Sequence, residues 1–417
     1  MKKILFIVLF IHAVGFSQTN NSLSFDGVDD FIGVAYSPEL AISDSFSVVG
    51  WVKIPATHST NWGTIIGGHL GYGILFYAGS NGNTNYDAGG KAGLETNSGI
   101  SLEGTSDLRD DTWHYVVATH NGENAKIYVD GLLEASAAGP RGTVSGSNPM
   151  KIGMNNHPSG SNANFTGMMH EVQIWNIVLT QSQIQSYMAT SPNGNETGLV
   201  GYWNFNEGAG DTLNDQTSNG NDGIIFGARW NTYVPDDNFE QALIDLGYDD
   251  VLDDYVITDS INTVTVLNVE NDSISDLTGI ENFTALTNLN CSRNQLTSLD
   301  MSSNTALTEL ICHSNDLTSL DVSNNTSLTN LRCAINDLTS LDVSSNTALT
   351  ELICNGNQLT SLDVSANIAL DDFRCYNNSL TSLDVSSNTV LTKLLCGNNS
   401  LTSLDVSSNT ALIKLIC

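Results

Sequence analysis

The sequence predicts a mainly β protein: an antiparallel two-sheet sandwich, then a solenoid of parallel coils, with a short helix where the second part begins. Three observations carry this. Cys291, Cys312, Cys333, Cys354, Cys375, Cys396 and Cys417 each lie 21 residues after the one before, and they are all seven of the cysteines. A fixed period of that size marks a solenoid, whose coils cannot bury their apolar sides alone and supply one another's core. From Leu23 to about Trp230, short alternating apolar runs are separated by Gly, Asn and Asp turns, the pattern of half-buried strands. Between the two lies one amphipathic stretch around Phe239, Leu243 and Leu246.

Taken in order, residues 1–17 read as a signal peptide. Lys2 and Lys3 precede an apolar run, small residues follow at Gly15 and Ser17, and cleavage is expected before Gln18. The run is too short for a transmembrane helix and no later one follows, so a secreted or cell-surface protein with no membrane span in the mature chain is expected. The net charge of −31, from 45 acidic and 14 basic residues, argues against nucleic acid or an anionic membrane as partner.

Residues 18–230 carry the strand patterns, for example Phe46 to Ile54 and Trp113 to His120. Asn121-Gly122 and Asp130-Gly131 are hairpin signals on either side of Ala125 to Val129. Thr180, with Gln183 three residues on, marks the start of one short helix that buries Ile184 and Met188. Trp51, Trp113, Trp175 and Trp203 fall inside strand patterns and read as core.

Several segments here match the motifs of one family, all in its order but the last, Leu199 to Gly208, which in many relatives precedes the Phe25-Asp26-Gly27 strand and here follows the rest. They are Phe25-Asp26-Gly27-Val28-Asp29-Asp30-Phe31, Trp113-His114-Tyr115-Val116, Ile127 to Gly131, Gly167 to Asn176 around Glu171, and Leu199 to Gly208. Together they resemble laminin-G-like, concanavalin-type jelly rolls. The resemblance implies a jelly-roll sandwich that binds glycan or protein, often beside a structural calcium. It points to Asp26, Asp29, Asp30 and Glu171 as calcium ligands, oxygen donors of the kind the ion prefers. His170 stands where relatives carry an acidic residue, and Asp26 and Asp29 read equally well as turn residues capping their own backbone. For glycan binding, Trp62, Tyr72, Tyr77 and Tyr86 lie in a Gly/Asn-rich stretch expected to form loops, where flat rings would meet sugar. Hydrolases on this jelly roll carry E-x-D-x-x-E on one strand, but Glu171 has no carboxylate at plus two or plus five. A non-catalytic protein is therefore expected, with a carbohydrate-active enzyme or accessory module as the alternative.

Residues 231–285 read as linker, helix and an irregular leading repeat. Asp237 and Glu240 form a capping-box pattern, Phe239, Leu243 and Leu246 share a face, and Gly247 ends the helix, which is expected to cover the first coil. Residues 286–417 hold six full repeats and a partial seventh. The frame L-x-x-L-x-C-x-x-N-x-L-x-x-L-D-V-S-x-N resembles the leucine-rich repeat in a nested form with two half-repeats. Leu310 and its equivalents, and the cysteines two residues on, are expected on one inward face; Leu299 with Met301 and their equivalents line the opposite wall. Asn294, Asn315 and the asparagines that follow at the same spacing are expected to turn inward and satisfy backbone groups. The cysteines read as seven small buried hydrophobes, against a disulfide or metal ladder, because an odd number in one inward column cannot pair fully.

Comparing the units separates scaffold from recognition. The T-S-L-D-V-S half barely changes, whereas outward positions around the cysteines vary: Glu309, Ile311, Arg332, Glu351, Ile353, Asp372, Arg374, Tyr376 and Lys393. Such a face suits a protein ligand; drift on an unselected surface is the other reading. Proteins with this pairing of domains resemble surface adhesins of type IX-secreting bacteria, which end in a sorting domain. The chain stops inside a repeat, so a truncated product is expected.

Overall fold

A computed structural model describes residues 21–41, 45–57, 63–67, 74–78, 90–96, 100–139, 149–155 and 164–417, and the chain divides into two units between Trp230 and Asn231. In the first unit, the alternation along Ser45–Lys53 sorts its side chains onto two faces. Phe46, Val48 and Val52 join the core between the sheets, while Val49 and Trp51 belong to a second cluster on the far side. Its neighbour Trp113–Asn121 divides the same way, with Val116 and Ala118 facing inward and Tyr115 and Val117 outward. Period-two alternation on a pleated strand requires this.

The first sheet runs Leu132–Ala138, Asn124–Val129, Trp113–Asn121, Ser45–Lys53, Thr166–Trp175, Asn21–Asp26, all antiparallel. Leu199–Trp203 pairs with the second half of Thr166–Trp175. The second sheet runs Thr212–Leu213, Gly223–Phe226, Phe31–Val34, Met150–Ile152, Gly63–Gly67, Ile74–Ala78, Gly93–Thr96, Ser101–Glu103. One buried cluster draws on both, for example Val48 and Ala118 with Ile32, Phe76 and Ile152, so the unit is sandwich-like. On the far side of the first sheet, Ile184 of the helix Gln181–Ala189 packs with Trp51, Tyr115 and Trp175. Thr180 and Gln183 form the expected reciprocal cap. Asp130 and Gly131, at φ +50° and +73°, make the tight hairpin turn that the Asp-Gly pair favours.

In the second unit, the helix Asp237–Asp245 is capped one residue earlier than expected. Asp236, not Asp237, accepts from the backbone N–H of Asn238 and Phe239, both at 3.0 Å. Phe239, Ala242 and Leu243 then face inward together, and Leu246, expected on that face, is 45% exposed. Glu240 does not reach back to a cap. It is buried and accepts from the N–H of Asp253 at 2.9 Å and of Tyr255 at 3.1 Å. Phe239 and Leu243 belong to the same buried cluster as Leu267 and Leu289 of the first two coils.

The solenoid is one parallel sheet of eight three-residue strands in chain order, from Val266–Asn268 to Lys414–Ile416. From Asn288 on, neighbours pair with an offset of 21 residues, so Leu310 meets Leu331 and Leu331 meets Leu352. From Asn288–Asn290 to Lys393–Leu395 the central residue of each strand points inward and its two neighbours are half-buried; in Val266–Asn268 the neighbours are exposed, and in the last strand all three residues are. The asparagines turn inward as expected. Asn357 donates through Nδ2 to the carbonyls of Cys333 and Cys354, both at 3.0 Å, and accepts from Leu338 N–H at 3.1 Å. Asn304, Asn325, Asn346 and their successors form a second buried ladder that donates to two carbonyls per coil. The wall of Leu299 and Met301 is buried but is not a strand. Asp300 accepts from Ser302 N–H at 2.9 Å and bends the chain there, leaving only an isolated bridge from Asp300 to Asp321.

Cys291 to Cys396 are free thiols in the buried column. Cys417 is free but exposed, contrary to the uniform burial expected.

Candidate functional site

Two places hold the predicted site residues. The first is the turn joining Asn21–Asp26 to Phe31–Val34. Gly27 takes φ +78° there, and a Cβ would meet Thr166 Oγ1 at 2.1 Å, so only glycine fits. The turn folds its carboxylates together: Asp26, Asp29 and Asp30 offer oxygens that all lie within 4.8 Å of one another. Two carboxylate oxygens of this turn have structural duties. Asp26 Oδ1 accepts from Val28 N–H at 2.7 Å and Asp30 Oδ2 from Asp26 N–H at 2.8 Å. Burial, opposed by that N–H and reinforced by the charges of Asp26 and Asp29, raises the Asp30 pKa. Asn164, 6% exposed, donates through Nδ2 to the Val28 carbonyl, while its Oδ1 has no hydrogen-bond partner among the described residues. An all-oxygen set of this kind fits a hard cation such as calcium.

Glu171 does not join this group. It sits at φ +51° in a bulge of Thr166–Trp175, where two residues, Glu171 and Val172, stand between the pairs His170–Trp51 and Gln173–Val49. Its buried carboxylate accepts from Ser191 Oγ and, at 3.4 Å, from the Tyr202 hydroxyl. Burial pushes its pKa up to about 7, although both hydroxyls oppose the shift. His170 beside it lies parallel to Trp51, ring centroids 5.7 Å apart, and edge-on to Trp113 at 4.5 Å; burial pushes its pKa down to about 3. A neutral imidazole packed between indoles serves the core.

Of the four aromatics expected on loops, Trp62, Tyr72 and Tyr86 lie outside the described residues. Tyr77 is placed differently from expectation: it lies in the strand Ile74–Ala78, fully buried, its hydroxyl 3.2 Å from Glu103 Oε1. One aromatic surface that the sequence reading missed belongs to half-buried Phe31 and exposed Phe226. They face each other across neighbouring strands, rings 4.6 Å apart and 18° from parallel. The alternation Ile224, Ile225, Phe226 was legible, but which of its faces meets solvent depends on what packs against the sheet.

The second place is the strand face of the solenoid. Glu309, Ile311, Arg332, Glu351, Ile353, Asp372, Arg374 and Lys393 flank the inward central residues, and all are half-buried, as is Tyr376 just beyond. The ladder brings their charges together. Glu309 accepts from Asn288 and Asn330, each at 2.8 Å. Arg332 pairs with Glu351 at 2.5 Å, and Asp372 takes both Arg374 at 2.7 Å and Lys393 at 3.0 Å. Residues 231–417 contain five Lys or Arg in all; four lie on these strands, and Arg293 pairs with Glu270 at 3.0 Å. Asp300, Asp321, Asp342, Asp363, Asp384 and Asp405, on the invariant half of each coil, are exposed instead. The serine two residues on, through hydroxyl and N–H, holds each of them below its ordinary pKa. No helix among the described residues is long and apolar enough to cross a membrane.

Residues 26–185 match a laminin-G-like family model described as the concanavalin A-like lectin/glucanases superfamily. Over 75 residues the chain is 46% identical to internalin J of Listeria monocytogenes serotype 4b (strain F2365), which covers 18% of this chain and 8% of that protein. The chain thus spans under a tenth of that relative. Among solved structures it is similar to the functional domain of internalin J from Listeria monocytogenes, described as including a cysteine ladder: 36% identity, 43% of this chain and 51% of that one, TM-score 0.32. It is also similar to a putative carbohydrate-binding protein from Bacteroides ovatus: 21% identity, 51% of this chain and 60% of that one, TM-score 0.41. A leucine-rich-repeat protein of Leptospira interrogans gives 26% identity, 38% and 44% coverage and a TM-score of 0.34.

Proposed function

We propose that this chain, with its concanavalin A-like domain ahead of a β-solenoid, is an exported, non-catalytic recognition or adhesion protein. The sandwich, a jelly roll in this reading, takes glycan or protein ligands beside a calcium held by Asp26, Asp29 and Asp30. The solenoid, read as leucine-rich repeats behind the helix Asp237–Asp245, takes a protein ligand on its strand face. One observation carries the reading: the coils repeat their core and their aspartate rim, while varied side chains and nearly all the cations of residues 231–417 collect on the strand face. A purely structural repeat has no need of that asymmetry. The test is capture of ligands from cell-surface extracts by the full chain, with and without Arg332→Glu and Arg374→Glu. Loss of captured protein with the folded state retained is expected, the melting temperature falling only modestly as the pairs with Glu351 and Asp372 are lost; a chain that captures nothing, or variants that capture equally, would refute the solenoid reading.

The alternative, a carbohydrate-active enzyme, has one observation in its favour. Glu95 and Glu103 lie on the same outer face of adjacent strands, beside Tyr77, and burial, then the charge of Glu103, raises the Glu95 pKa. Two carboxylates are what glycoside hydrolysis requires. Release of reducing ends from polysaccharide, abolished by Glu95→Gln, would establish it.

A further inference from the structure

We infer that the outer face of the second sheet carries a subsite for a neutral pyranose glycan, with Phe226 as its stacking platform. The inference rests on the reading of the sandwich as a glycan-binding domain and assigns the place of contact. Alternation along Phe31–Val34 and Gly223–Phe226 sends Ile32, Val34 and Ile225 into the core and leaves Phe31, Gly33, Ile224 and Phe226 on the other face. Phe31 is engaged twice, by Phe226 and by Lys151, whose Nζ sits 3.8 Å from the ring centroid. Phe226 remains 48% exposed, with Ile224 at 46% on the same strand. Both rings lie over Gly33, where a Cβ would make ordinary contact at 3.4 Å from the Phe226 ring and 3.6 Å from the Phe31 ring.

The ring does not stand alone. Gly227, the next residue, takes φ +78° and backs onto Asp30, where a Cβ would come within 2.0 Å of Oδ1. The three-carboxylate turn therefore adjoins the aromatic pair, with the unpaired Oδ1 of the buried Asn164 at the same turn. A pyranose presents a flat C–H face and a rim of hydroxyls, and an exposed ring beside acceptor oxygens complements both. Overall charge decides the class of sugar: the chain carries −31, far more than a bound calcium and Lys151 offset, so uronates and sulfated sugars are repelled.

The test uses the full chain on immobilised neutral β-glucan and on a polyuronate. Wild type is expected to bind the neutral polymer at least ten times more tightly than the polyuronate. Phe226→Ala should lose at least tenfold in affinity for the β-glucan, while Phe226→Trp retains it and shifts its fluorescence when glucan is added. Leu132→Ala, at another exposed apolar position, serves as control and should bind as wild type does. If wild type binds neutral glucan and Phe226→Ala binds equally, or Phe226→Trp shows no shift, the subsite is wrong and the glycan reading stands. Preference for the polyuronate overturns the charge argument. No binding to either polymer overturns both subsite and reading.

Discussion

Glu171 shows how one residue's position can reverse its chemistry. The family resemblance made it a candidate metal ligand; the bulge that gives it φ +51° turns it instead toward Ser191 and Tyr202 in a buried site. Burial raises its pKa to about 7 from an ordinary value near 4.5, so folding favours its neutral form. A group whose folded pKa is raised contributes most below its unfolded pKa, and that contribution falls away as pH climbs through the folded value. Between pH 4.5 and 7 the wild type should lose on the order of 3 kcal/mol on this account. Glu171→Gln, which keeps an acceptor oxygen, should remove that loss and be the more stable at pH 8. Urea unfolding of both proteins at pH 5 and 8 checks this. An equal difference at the two pH values would show that Glu171 is ionised in the fold without cost.

At the scale of elements, the cysteine column and the Asp236 cap are built on opposite principles. Burial pushes the thiol of Cys291 up to about 12 and that of Cys354 well above its ordinary value, so neither supplies thiolate for exchange. Without reductant, native protein should therefore show one titratable thiol, Cys417, and denatured protein seven. Far fewer than seven after denaturation would mean that the ladder is cross-linked. Cys354→Ser should destabilise by about 1–3 kcal/mol through a buried hydroxyl, and Cys354→Ala by less. Asp236 is polar where the cysteines are apolar. Its Oδ1 holds the helix start and its Oδ2 accepts from Ser275 N–H, Ser275 Oγ and Asp276 N–H at 2.6–3.0 Å. Burial works against its charge, but these bonds prevail and hold its pKa below the ordinary range. Its contribution is thus complete at neutral pH and lost only in acid, as pH falls through that lowered value. Asp236→Ala should cost at least about 2 kcal/mol at pH 7, since it removes an N-cap and three further bonds. Thermal unfolding at pH 7 and pH 3 reads both the cost and its narrowing in acid.

For the whole molecule, calcium tests the sandwich as a ligand-binding unit. An ion shared by Asp26, Asp29 and Asp30 stabilises only the folded state, so chelation should lower the melting temperature of the full chain's first unit and excess calcium restore it. Asp29→Asn should abolish the response. Indifference to chelator would leave the three aspartates as turn residues alone.

Much of this architecture was written locally. The 21-residue period set the coils, their inward leucines, cysteines and asparagines, because each unit repeats one set of side chains against its neighbours. Hairpin turns and the Thr180 cap were equally plain, since their chemistry lies within a few residues. What sequence left undecided were facts of packing between distant segments. Tyr77 alternates like any half-exposed strand residue, yet lies fully buried against Glu103. Phe226 alternates in the same way and stays exposed beside Phe31, almost two hundred residues away. The Asp237 signal was off by one because Asp236 also serves Ser275, a partner some forty positions downstream. Periodicity tells which residues share a face; only the tertiary structure determines whether that face meets protein or water.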